Sequence, residues 1–307
     1  MKSFFRQIEN IPLENSPVSV EVYFRGENAT GLFEKQIDAG RGAVMLLVGG
    51  EPGMAYLLEN DQPRTITLAE FSSFDDAHVR RIIIPDVAGR LLLLALESYV
   101  ERKFSNMDGK AWKWQVEQWK QNEWSGLVEV KSEKLHGFVF FWRGDPQKSE
   151  MVFSTPRGFI SDFPNLEDED DAGFEVISYS HTASAQAYQC AVLRQGARHW
   201  SRGILGRYQE LVGQKLLQML DRELNRQIQP WNITFVERDV LDSHFFHYLM
   251  DAAHAYRSLF MAMGAQMDFV IGNNLTQKLL SETFEQVYPD ERAVLQSQRL
   301  IPAAFSE

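Results

Sequence analysis

The densest set of side chains able to do chemistry in this 307-residue chain is His244, His247, Asp251 and His254. Spacings of 3, 4 and 3 put all four on one face of a helix predicted from about Glu237 to Met263. At about 100° per residue, that face lies about 140° from the apolar one formed by Leu241, Phe245, Leu249, Ala252, Tyr256, Leu259 and Met263. Imidazole and carboxylate at such spacing can share a divalent ion, so one reading is a metal site serving a metal-dependent hydrolase. The other is a polar helix face turned to solvent or a partner. It takes precedence because neither an HExxH order nor a cysteine supports the ion.

A second constellation is aromatic. The stretch Lys110 to Glu123 is predicted to be helical, with Trp112, Val116 and Trp119 on one face. Core packing is the expected role of that face. Trp112, Trp114 and Trp124 are also the candidate contact surface for a protein partner. Cys190 sits in the apolar run Ala187 to Leu193, which suits a buried structural thiol better than a nucleophile. Arg194, Arg198, His199 and Arg202 form a small basic cluster fit for ion pairing or for an acidic group. The carboxylate run Glu167 to Asp171 lacks the spaced ligands and glycine of a calcium loop, so a solvated loop is expected. No GxSxG elbow, phosphate loop or GxGxxG fingerprint occurs, and no cofactor is expected.

Composition restricts the setting of these groups. With 42 acidic and 31 basic residues the net charge is −11, which argues against a general phosphate-backbone binder. A hydrophobic fraction of 44% with 12% aromatics excludes wholesale disorder. The longest uncharged apolar runs, Leu91 to Leu96 and Phe138 to Trp142, fall far short of the ~20 residues that cross a bilayer. One cysteine and no secretory signal make the cytoplasm the expected compartment.

The elements that must position these residues come from a repeat. Sliding the chain by 95 residues without gaps pairs Ala29–Gly49 with Trp124–Gly144 and yields six identities in 21 positions. They are Gly31 with Gly126, Leu32 with Leu127, Glu34 with Glu129, Gly42 with Gly137, Val44 with Val139 and Gly49 with Gly144. Further on, Pro63-Arg64 matches Pro156-Arg157. Each copy reads as antiparallel strands: Gly31 to Lys35 and Ala43 to Val48, then Gly126 to Val130 and Gly137 to Trp142. Further strands are predicted near Met54 to Leu58, Ile82 to Ile84, Glu150 to Phe153, Phe174 to Tyr179 and Ala187 to Arg194. Asp86 to about Phe104 is predicted to be a helix. From Gly203 the period becomes helical, with helices ending near Pro230, at Gly264 and near Pro289, and a short one over Glu291 to Leu300.

The order of amphipathic helix, Ser/Thr-Gly-Leu-x-Glu strand, turn, Gly-led apolar strand and closing Gly turn resembles the PATAN-type module. That module is the amino-terminal domain of PatA-like bacterial response regulators. The matching residues are Ser125-Gly126-Leu127-Val128-Glu129 and Gly137 to Gly144 in one copy, and Thr30-Gly31-Leu32-Phe33-Glu34 and Gly42 to Gly49 in the other. The resemblance implies a non-enzymatic signalling role through protein contacts. The expected fold is α+β: tandem hairpin modules over 1–108 and 109–201, then an all-α domain over 202–307. The expected function is a protein-interaction adaptor of a bacterial regulatory pathway, possible as a homo-oligomer, with no nucleic acid and no membrane insertion. A small-ligand sensor working between the two modules is the remaining alternative.

Overall fold

The computed structural model describes residues 30–38, 40–59, 62–74, 79–133, 135–155, 158–162, 173–231, 233–236, 239–242 and 244–300. The acidic run Glu167 to Asp171 and the pair Pro156-Arg157 lie outside the described residues. The chain divides into two units, Met1–Ala185 and Gln186–Glu307.

The first unit is α+β and holds two antiparallel sheets. Strands β1 (Gly31–Gln36), β2 (Arg41–Val48), β3 (Glu51–Glu59), β4 (Gln62–Ile66) and β5 (Val79–Ile83) make a sheet of order β4-β3-β2-β1-β5. Strands β6 (Tyr99–Met107), β7 (Gly126–Lys131), β8 (His136–Trp142), β9 (Asp145–Thr155), β10 (Gly158–Ile160) and β11 (Phe174–Ser180) make the other, of order β10-β9-β8-β7-β11-β6. Replacing β1–β5 by β7–β11 turns the first order into the second, with β6 added at the edge.

The repeat extends to detail. Both β2–β3 and β8–β9 turn through two left-handed residues, Gly49 and Gly50 (φ 58° and 81°) and Arg143 and Gly144 (φ 50° and 82°). Positive φ at both central positions matches the twist of the flanking strands in a two-residue hairpin. Each hairpin then carries a bulge, after which Leu47 faces Pro52 and Phe141 faces Pro146.

The gapless alignment fails in one respect. Phe33 faces Met45, whereas Val128 faces Val139, so Met45 corresponds to Val139 and not to Phe140. The connection between the paired ends Lys131 and His136 is one residue shorter than that between Gln36 and Gly42. A one-residue slip would exchange the two faces of a strand, and burial on both faces fixes the register. The matched pairs Gly42/Gly137, Val44/Val139 and Gly49/Gly144 are therefore not structural equivalents, while Gly50/Gly144 and Pro52/Pro146 are.

Helix α1 (Leu68–Ser73) places Phe71 on the face of the first sheet that carries Phe33, Met45, Leu47 and Leu57. Helix α2 (Asp86–Leu96) packs on β2 of one sheet and on β7, β8 and β9 of the other. That position explains its composition, since every residue from Ala88 to Leu96 is buried and a helix apolar on all sides must be enclosed. Each buried leucine there contributes about 2 kcal/mol. Its one buried charge, Arg90, is matched by Glu150 on β9, Nε to Oε2 2.8 Å, and donates to the Ser149 carbonyl at 2.7 Å.

The helix expected to reach Phe104 stops at Leu96. Tyr99–Met107 is instead β6, paired with β11, so the second sheet begins before the expected boundary at 108. Helix α3 (Gly109–Gln121), capped by the Asp108 carboxylate on the Ala111 amide at 2.7 Å, lies on the outer face of that sheet.

The second unit is helical: α4 (Gln186–Val212), α5 (Gln214–Ile228), α6 (Leu249–Ile271), α7 (Asn273–Phe284) and α8 (Pro289–Ser297). It also holds a small hairpin, β12 (Ile233–Val236) and β13 (Asp239–Asp242). The predicted strand Ala187 to Arg194 is the first part of α4, so the helical region starts at Gln186 and not at 202. A short apolar run fits either period, and the tertiary partners along α4 settle it. Gly264 does not end α6, which runs on to Ile271. Gly272, at φ 79°, does. The open edge of β12 is closed by Asn225 of α5, whose side chain donates to the Phe235 carbonyl at 2.9 Å and accepts from its amide at 2.6 Å. No helix of the described residues is long and apolar enough to cross a membrane.

Candidate functional site

The four-residue metal face is not assembled. Residues 233–236 and 239–242, the latter assigned by the periodicity to the start of a long helix, form β12 and β13, and α6 begins only at Leu249. His244 and His247 lie in the connection before it, and only Asp251 and His254 share the helix. The connection turns because the Asp242 carboxylate accepts from the His244 amide at 3.0 Å, a local bond that competes with helix formation. The Arg194 guanidinium reaches the His244 carbonyl at 3.4 Å. His247 packs between Phe245 and Tyr248, with centroid distances of 5.2 and 5.9 Å. Its carbonyl accepts from the Gln186 side chain at 3.0 Å. Burial holds its imidazole below the ordinary histidine range, with the Asp251 charge partly opposing that shift. Among the described residues no group of three or more His, Cys, Asp or Glu side chains stands close enough to hold a metal ion.

The tryptophans divide. Trp112 and Trp119 are buried under α3 against Val128, Val139, Phe141 and Phe174. Trp119 stacks on Trp124 at 5.0 Å, and Trp124 donates to Glu101 at 3.1 Å. Trp112 is therefore core and not contact surface, and Trp124 is half-buried in the same cluster. Trp114, two positions along the helix from Trp112, points away from the sheet and is 64% exposed.

Two members of the basic cluster, which lies within α4, face carboxylates. Arg194 meets Asp242 at 2.9 Å, both buried, and His199 meets the fully buried Glu291 at 2.8 Å. Cys190 is buried, as its surroundings predict.

Two polar groupings escaped sequence reasoning because the tertiary fold, not periodic spacing along the chain, brings their members together. Glu129, inside the second sheet, accepts from His136 at 2.7 Å, Lys131 at 2.8 Å and the Tyr179 hydroxyl at 2.6 Å. Burial alone would raise its pKa. The His136 hydrogen bond and the Lys131 charge outweigh that and hold the carboxyl at about 2. A carboxylate so strongly held is a poor general base.

The other grouping is Ser98 and His181, in contact through Oγ and Nδ1. The Ser98 hydroxyl donates to the Leu94 carbonyl at the end of α2, which commits it to the helix terminus and leaves no activated nucleophile. Burial pushes His181 down to about 4. A folded-state pKa below the unfolded value favours the neutral ring. Stability is thus complete above about pH 6.5 and is lost as pH falls toward 4. The expected loss is about 2 kcal/mol for the first unit, read as a fall in urea midpoint between pH 7 and 4.5. His181→Asn should flatten that interval, and a wild-type midpoint unchanged across it would refute the assignment.

A candidate contact surface in the second unit is the exposed side of α6. Met250, His254, Met261, Ala265 and Phe269 fall within a stripe about 100° wide. Met250 is 80%, Met261 67% and Phe269 90% exposed. The helix forms because the opposite side, Ala252, Ala255, Tyr256, Leu259, Phe260 and Met263, is buried in the core of the unit. Comparisons with protein-family models, with curated proteins and with solved structures return no match to this chain.

Proposed function

We propose that this chain is a non-enzymatic protein-interaction protein, of the kind that works as an adaptor in bacterial signalling. The observation that carries the reading is the α6 stripe, where three large apolar side chains on one helix face are left to solvent. Scattered exposed apolar residues need no explanation, but aligned ones mark surfaces that other proteins cover. Trp114 on α3 is a second, separate contact point.

The test is affinity purification from the native cell with mass spectrometry, comparing wild type with Met261→Glu and with Trp114→Ala. At least one protein enriched on the wild type should be lost from one variant. The reading falls if every captured protein is retained by both, provided thermal midpoints show both variants folded. Substitutions at such exposed sites should shift stability by no more than about 0.5 kcal/mol.

A further inference from the structure

Both ends of the α6 stripe are acidic. Asp251 and Asp268 are exposed and stand on the same side of the helix as Met250, Met261 and Phe269. They are 17 residues apart, or about 26 Å along the axis. Between them the exposed positions are His254, Met261 and Ala265, none with a fixed charge, while the half-buried Arg257 at the edge of the stripe is tied back to the carbonyls of Gln298 at 2.7 Å and Arg299 at 3.3 Å.

This pattern discriminates between occupants. A second copy packed antiparallel along α6 would set Asp251 against Asp268 of the other copy, and a parallel one would set each against itself. Either arrangement brings carboxylates together in a chain whose net charge is already −11. A partner with an apolar stripe and a cation near each end meets the surface without conflict. Helix against helix is the mode that matches a straight stripe along one helix face.

We infer that the α6 face from Met250 to Phe269 docks an amphipathic helix of a protein partner that carries Lys or Arg near both ends of its apolar stripe. The inference rests on the interaction reading above and names its partner class. The carboxylates set orientation and exclude acidic helices, while Met250, Met261 and Phe269 supply the buried contact.

The test uses the full chain and two synthetic amphipathic peptides with the same Leu/Ala stripe. One has Lys and the other Glu about 17 positions apart. Binding is read by fluorescence anisotropy of the labelled peptide. The Lys-ended peptide should bind about tenfold more tightly, and raising the salt should narrow the gap. The double reversal Asp251→Lys with Asp268→Lys should invert the preference, and Met261→Glu should abolish binding of both peptides. Far-UV circular dichroism must show both variants folded, as their exposed positions predict.

Equal affinities, an unchanged preference after reversal, or no binding of either peptide would overturn the inference. So would a dimer in sedimentation that Met261→Glu dissolves, since that assigns the stripe to a second copy. If the peptides fail while cellular partners are lost on Trp114→Ala, the interaction reading stands and this inference falls. If no captured protein responds to either variant, the interaction reading itself falls.

Discussion

Replacing Asp242 with alanine is expected to cost about 3–5 kcal/mol, a large part of the ~5–15 kcal/mol that holds a typical domain folded. Asp242 ends β13, is buried, and joins three elements. It accepts from Arg194 Nε of α4 at 2.9 Å, from the His244 amide at 3.0 Å, and from the Tyr256 hydroxyl of α6. Removing it strands a guanidinium whose side chain is only 4% exposed, and a buried unpaired charge is far costlier than the pair is stabilising. The double variant Arg194→Met with Asp242→Leu should recover much of the loss, because an apolar pair of similar volume carries no desolvation penalty. Urea unfolding of the three proteins measures this. A single-variant loss below about 1 kcal/mol, or a double variant no better than Asp242→Ala, would contradict the account.

Gly144→Ala is expected to be nearly as damaging, for a different reason. Gly144 has φ 82°, and an added Cβ would lie 2.3 Å from Lys120 Cα and 2.7 Å from the Trp119 carbonyl. Left-handed backbone costs a side-chain residue about 1–2 kcal/mol, and overpacking against main chain that cannot rotate away adds about 1–3 kcal/mol. Gly144→Ala should therefore cost about 2–5 kcal/mol in urea unfolding, and a loss of no more than about 1–2 kcal/mol, the strain alone, would mean that α3 is not seated on the β8–β9 turn.

The same turn shows how far the sequence could be read. Glycines at the hairpin ends and a shared Leu-x-Glu strand were enough to reveal two related sheets, because turn chemistry and strand alternation are local properties. The register between the copies was not legible. It depends on one residue in a connection, and a gapless comparison scores Gly42 against Gly137 whether or not the two stand opposite equivalent partners. Trp112 and Trp119 were likewise readable as a buried face from their spacing. That Trp114 alone of the candidate tryptophans is well exposed needed the sheet on which α3 lies.

The His244, His247, Asp251 and His254 face failed for a related reason. Helical periodicity runs backwards from α6 through residues that fit strand and turn equally well. The winning interactions, Asn225 on the edge of β12 and Arg194 on Asp242, come from α5 and α4. Helix-to-hairpin contacts of that range leave no periodic trace. Asp251 and His254 remain on α6, but as part of an exposed stripe whose character comes from the methionines and Phe269.

By itself the sequence determined an α+β region built on a repeated hairpin, followed by helices, in an acidic chain with a buried cysteine. Those follow from composition, short-range turn chemistry and the periods of 2 and 3.6, all of which act between near neighbours in the chain. Only the tertiary structure decided that β6 joins the second sheet, that α2 is enclosed between sheets and that the histidines stand apart. It also decided which polar groups are buried with partners. These outcomes turn on which distant surfaces meet. Burying a charge or a strand edge is tolerable only where a specific partner from elsewhere in the chain arrives to satisfy it.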